Sequence, residues 1–239
     1  MEALVSLGAA FAFALVFRTP LVRWPVAFYV FALAVDVAYA SGLLAQVVPD
    51  LARALMPYLR RCTAAYGLFA IVMFMGVLPE RSRLRAYLKP VRGSLSVLAA
   101  LLVACHVVGY GSAYANVALS GFATASIPTK ASLFLAVGLV IVLALLFVTS
   151  FRMVKGRMRA KAWARVQRLA YPFFVLISLH AAILLLPSCA AGGKSTVSVA
   201  VYLIVLVAYA MLRIARWVSD ARAGSSQALP TSSQVVRTG

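Results

Sequence analysis

His106 and His180 are the only two histidines in a chain of 239 residues, and each falls inside a long apolar segment. An imidazole in hydrocarbon must find partners for its ring nitrogens, because an unsatisfied polar group there is costly. Two imidazoles from separate segments could supply both axial nitrogens of one iron, the arrangement that holds a b-type haem. The alternatives are a hydrogen bond to a neighbouring helix, or a place on a proton or substrate path. Asp36, an acid within another apolar segment, has similar options: a role beside the iron, a proton route, or a structural hydrogen bond to a hydroxyl or backbone group. Cys62, Cys105 and Cys189 are widely spaced and form no C-x-x-C pair, so neither a metal-ligand run nor a structural disulfide is indicated.

The elements that would carry these side chains are transmembrane helices. Hydrophobic residues make up 64% of the chain and the mean hydropathy is +0.98, and apolar stretches repeatedly approach the roughly 20 residues that cross a bilayer as helix. Seven segments qualify: Glu2 to Phe17, Pro25 to Val48, Cys62 to Leu78, Ser94 to Asn116, Ala131 to Phe151, Leu169 to Leu186 and Thr196 to Ile214. The expected fold is an all-α polytopic bundle of about seven spans, or six if the first segment, cut short by Arg18, does not cross. A secretory signal would begin with basic residues, whereas this chain begins Met1-Glu2, so the first segment reads as a retained helix. Asp50 to Arg61 reads as a short amphipathic helix on the membrane surface. The resulting organisation is an N-terminal membrane region over 1–61, a candidate histidine-bearing bundle over 62–217, and a disordered cytoplasmic tail over 218–239.

The net charge of +18 does not point to nucleic acid, because the cations cluster in short loops beside spans, where they meet anionic lipid. Arg81, Arg83, Arg85, Lys89 and Arg92 crowd one such segment, and the run from Arg152 to Arg168 forms another. Both belong on the inside. The segments Gly121 to Lys130 and Ser188 to Ser195 carry only Lys130 and Lys194, which places them outside. The N terminus is then outside and the C terminus inside, with Arg213 and Arg216 at the last exit. Arg53, Arg60 and Arg61 go against this pattern, offset only by Asp50.

This orientation makes the two histidine spans parallel. His106 lies 13 positions beyond Gly93 and His180 lies 12 beyond Arg168, rises of about 20 Å and about 18 Å at ~1.5 Å per residue. Both imidazoles therefore reach one depth, in the outer half of the membrane. Ala100, Ala104 and Gly109 near His106, and Ala181 beside His180, are small enough to leave room for a flat ring. Tyr110 and Tyr114 read as interfacial anchors and Trp163 as an inner belt residue. Pro172 would bend the start of its span and help aim His180.

The strings Val91-Arg92-Gly93, Ala104-Cys105-His106-Val107-Val108-Gly109-Tyr110, Trp163-Ala164-Arg165-Val166-Gln167-Arg168-Leu169-Ala170-Tyr171 and Ile177-Ser178-Leu179-His180-Ala181 carry a resemblance. From Thr63 onward, over about two thirds of its length, the chain resembles the ferric-reductase-like transmembrane family, and within it the haem-binding membrane subunits of bacterial methionine-sulfoxide reductase systems. The resemblance implies one b-type haem held by His106 and His180 in a bacterial inner (cytoplasmic) membrane. It also implies a soluble, periplasmic molybdenum-dependent reductase as the outer acceptor. Two departures matter. Fuller members carry a further histidine where this chain has Gln167, and members with two stacked haems carry an earlier one in the region of Arg92 and Gly93. By histidine count, an inner bis-histidine haem is excluded.

An iron in the outer half would pass electrons outward, one at a time. The loops contain no G-x-G-x-x-G dinucleotide site, so the donor must be external: quinol in the bilayer, or a cytoplasmic flavin or nicotinamide reductase docking near Arg152 to Arg168. Arg92, Arg165 and Arg168 are candidates to meet a flavin (FMN) phosphate, a haem propionate or a quinone headgroup, with anionic membrane lipid as the alternative. Gln167 could hydrogen-bond a quinone or flavin, and Gly109 would give the ring room. The competing functional class is a proton-coupled small transporter or channel lined by Asp36, His106 and His180; a purely structural membrane subunit is the third. A retinal pump does not fit because the last span has no lysine, and a protease does not fit for want of paired acids or an H-E-x-x-H helix.

Overall fold

Proline and serine set where several helices begin. Pro25, Pro49 and Pro128 occupy the first turns of their helices, where a missing N–H costs nothing. Ser82 and Ser126 accept the backbone N–H of Arg85 and Thr129 at 3.4 Å as N-caps. The computed structural model describes residues 1–122, 125–193 and 195–227, and these are helices joined by short loops. In chain order they are α1 (Glu2–Val16), α2 (Arg18–Arg23), α3 (Pro25–Ala40), α4 (Leu43–Val47), α5 (Pro49–Arg60), α6 (Thr63–Val77), α7 (Arg83–Leu88), α8 (Arg92–Leu119), α9 (Ile127–Ser150), α10 (Arg152–Arg157), α11 (Ala160–Gln167), α12 (Ala170–Ala190) and α13 (Thr196–Gln227).

The chain is an all-α, multi-pass membrane bundle. Four stretches, 83–111, 127–150, 160–190 and 196–222, are long and apolar enough to cross a bilayer. Helices α5 and α6, bent by 53° at their junction, make up to a fifth if counted together. The expectation of seven spans is thus met only in part, because α1 and α3 have 15 and 16 residues, short of the roughly 20 that a span needs. The second expected span, to Val48, stops at Ala40 because Gly42 turns the backbone left-handed, at φ 73°. The amphipathic segment expected over Asp50 to Arg61 is α5. At the other end, α13 continues to Gln227, into the segment read as tail; residues 228–239 and Lys194 lie outside the described residues.

Helix α6 is the axis of the bundle, buried along nearly its whole length, with α1, α8, α12 and α13 around it. Helix α1 approaches through small residues, burying Ala3, Ser6, Ala10 and Ala14. Gly67 of α6 makes this close approach possible: a Cβ there would lie 2.7 Å from the Ser6 carbonyl oxygen. Ser6 also donates to the Thr63 hydroxyl at 2.8 Å. On a neighbouring face, the Tyr66 ring stacks on Phe174 at 5.7 Å and its hydroxyl meets Ser178 at 3.1 Å. This fixes α12 to the axis two residues before His180. Phe31, Val137, Ile141, Ile204, Val207 and Met211 remain exposed, an apolar exterior that is stable only against lipid.

A candidate paired-histidine site

Helices α8 and α12 bring the two histidines together through shared neighbours. Each packs on both α6 and α9. The imidazole centres are 6.3 Å apart and the ring planes stand at 85°. Both rings are partly buried.

Each ring is held through Nδ1. That of His106 is 2.7 Å from the Arg60 carbonyl oxygen; because a carbonyl only accepts, the proton is on Nδ1 and the Nε2 lone pair is left available. That of His180 is 2.9 Å from the hydroxyl of Ser132, itself fully buried in α9. Neither partner was visible in the sequence. Arg60 acts through its main chain, which carries no residue signature, and Ser132 is one hydroxyl among several in an apolar helix. Among the described residues no group of three or more His, Cys, Asp or Glu comes together. Among the described residues the site therefore offers two imidazole nitrogens and no third His, Cys, Asp or Glu.

Asp36 lies beside this site but on another face. Cys105, the residue before His106, donates to Asp36 Oδ1 at 2.6 Å, and consecutive residues on a helix point about 100° apart. Asp36 thus joins α3 to α8, with Oδ2 buried and unpartnered. Gly109 serves the same helix pair: a Cβ at this position would come 2.9 Å from the Tyr39 hydroxyl of α3. Tyr110 lies 5.0 Å from His106 and Tyr114 follows at 6.1 Å from Tyr110, so the three rings form a row along α8.

The other sequence candidates gather at the far end of the histidine helices, roughly 20 Å away along the axes. Arg92 lines a cavity of about 60 Å³ with Met75, Gly76, Arg85 and Lys89. Gln167 donates to the Thr149 hydroxyl at 2.9 Å, and Trp163 Nε1 donates to the Thr149 carbonyl at 3.0 Å. Both therefore tie α11 to the end of α9. Arg165 and Arg168 are exposed.

Residues 59–178 match the family described as "Ferric reductase like transmembrane component". An uncharacterized protein of Treponema pallidum (strain Nichols) is 36% identical over 165 residues, an alignment covering 68% of this chain and 45% of the relative. The chain thus spans less than half the length of that relative. No solved structure matches.

Proposed function

This chain belongs to the ferric-reductase-like transmembrane family, and from that premise we propose that it is a membrane electron-transfer subunit, a cytochrome b. It would carry one b-type haem between His106 and His180 and deliver single electrons to an acceptor outside the membrane. The observation that carries this reading is the spacing of the two rings. With a metal–nitrogen bond of about 2 Å from each imidazole and about 1.1 Å from nitrogen to ring centre, two rings sharing one metal would have their centres about 6.2 Å apart. The observed separation is 6.3 Å.

The donor set fits as well. A metal-bound imidazole characteristically donates its second N–H to a carbonyl or other acceptor, which fixes its rotation and raises its basicity. The Arg60 carbonyl and the Ser132 hydroxyl are placed for that work. Two nitrogens without a third protein ligand suit an iron whose remaining positions are filled by a porphyrin, rather than a zinc site, which takes three or four protein ligands. When bound, the haem supplies a one-electron couple whose potential is set by burial and by hydrogen bonds to its ligands.

The seven apolar helices would all cross a bacterial inner membrane, α1 and α3 as short spans, with the N terminus outside according to the loop charges. The outer acceptor would be a soluble reductase, with a molybdenum-dependent methionine-sulfoxide reductase as the specific suggestion. Quinol or a cytoplasmic flavin reductase would be the donor, and FMN or a quinone would meet Arg92, Gln167 or Arg168 at the inner end. Transport through Asp36, His106 and His180 has less support, because Asp36 engages Cys105 on a face of α8 turned away from His106.

Optical and EPR spectra of the purified protein test the reading. They should show a Soret band, a sharp reduced α band and a low-spin bis-imidazole signal, all diminished by His106→Ala and by His180→Ala. A folded, colourless wild-type protein that takes up no added haem would sink it.

A further inference from the structure

Helix α5 stops at Arg60, where the last turn leaves carbonyl groups without donors from its own helix. One of them, that of Arg60, accepts the His106 Nδ1 proton at 2.7 Å. The side chain of the same residue returns to the same place: its guanidinium carbon lies 5.3 Å from the centre of the Tyr110 ring, and that ring is 5.0 Å from His106. A single residue therefore orients the imidazole through its main chain and holds a cation beside the site through its side chain.

Among the described residues that cation has no counter-ion. The chain has 5 acidic residues, and each is engaged elsewhere: Glu2 with Arg61, Asp50 with Arg53, Glu80 with Arg85 and Arg216, Asp220 with Arg216, and Asp36 with Cys105. Arg53 and Arg61, the neighbouring arginines, are thus already paired, whereas Arg60 is not. A guanidinium stacked on an aromatic face is preorganised, and its fork of N–H donors matches a carboxylate in two parallel hydrogen bonds.

We propose that Arg60, stacked on Tyr110, binds a propionate carboxylate of the porphyrin held between His106 and His180. The inference rests on the haem reading above. Arg60 would then couple the ring orientation of His106, through its carbonyl, to recognition of the cofactor's acidic edge, through its guanidinium. Arg53, on the same helix but paired to Asp50, provides the control.

The test combines a change in the protein with a change in the ligand. Apoprotein of wild type, Arg60→Gln, Arg60→Lys and Arg53→Gln would be titrated with protohaem and with its dimethyl ester, following the Soret band to obtain dissociation constants. In wild type and Arg53→Gln, esterification should weaken binding about tenfold, the size expected for a hydrogen-bonded charge pair. Arg60→Gln should weaken protohaem binding by a similar factor and leave the ester unaffected, with Arg60→Lys in between. Equal weakening of both ligands in Arg60→Gln, or no weakening of either, overturns the propionate assignment and leaves the haem site standing. If the guanidinium instead serves an anionic lipid, Arg60→Gln would lose bound phosphatidylglycerol by native mass spectrometry while binding both haems as wild type does. Wild-type protein that binds neither haem would remove the paired-histidine reading itself.

Discussion

His180 of α12 and Ser132 of α9 meet at 2.9 Å, the one hydrogen bond of that ring among the described residues. Because Ser132 is fully buried, no water can take its place readily when it is removed. The contact makes a structural hydroxyl into the group that sets the rotation of a candidate ligand.

Replacing that hydroxyl separates orientation from ligation. Ser132→Ala should keep both imidazoles and the fold, yet lower haem affinity by about tenfold, the lower end of what loss of an outer-shell partner costs. The EPR g-values should shift as the ring rotates. Unchanged affinity and an unchanged spectrum would show that the hydroxyl does not govern His180.

Gly67 tests the packing of the N-terminal helix on the bundle axis. A side chain there would press on the Ser6 backbone at 2.7 Å from Cβ, and backbone cannot move aside as a flexible side chain can. Gly67→Val should destabilise the bundle by about 1–3 kcal/mol, read as a lower unfolding temperature in detergent. Gly8→Ala, where a Cβ meets nothing within 4 Å, should melt as wild type does.

Gln167→His asks whether one substitution restores a second haem. The new imidazole would stand at the end of α11, just before α12, with no histidine opposite it, since Arg92 and Gly93 occupy the start of α8. The pyridine haemochrome assay should still find one haem per chain. Two per chain would mean that a ligand other than histidine completes an inner site.

Asp36 is the acceptor for a buried thiol, and its replacement should report on that bond. Asp36→Leu removes the acceptor of Cys105 at 2.6 Å and should cost about 1–3 kcal/mol, the penalty for leaving a buried donor unsatisfied. Asp36→Asn keeps an oxygen in place and should cost less. Should the two variants melt alike, the Cys105 contact contributes little to the union of α3 and α8.

The equal depth of His106 and His180 was legible because helix rise is constant and both are counted from basic boundaries. The amphipathic helix α5 was legible because its polar and apolar residues alternate at helical period between turn residues. By contrast, α3 was read through to Val48, although the Ser41-Gly42 pair is the kind of turn signal that ends a helix. Gly109 was read as making room for a cofactor, and in the fold it faces Tyr39 of α3. Which neighbour a small residue admits depends on helix packing, which periodicity does not encode.

Composition and pattern alone thus determined the membrane setting and the helical class, since both follow from hydrophobic length and local geometry, and they singled out two rare imidazoles in separate helices. The partners of those imidazoles were decided only by the tertiary structure. The carbonyl of Arg60 and the hydroxyl of Ser132 stand 46 and 48 residues from the rings they hold, and such contacts arise from how helices cross, a relation that no local stretch of chain contains.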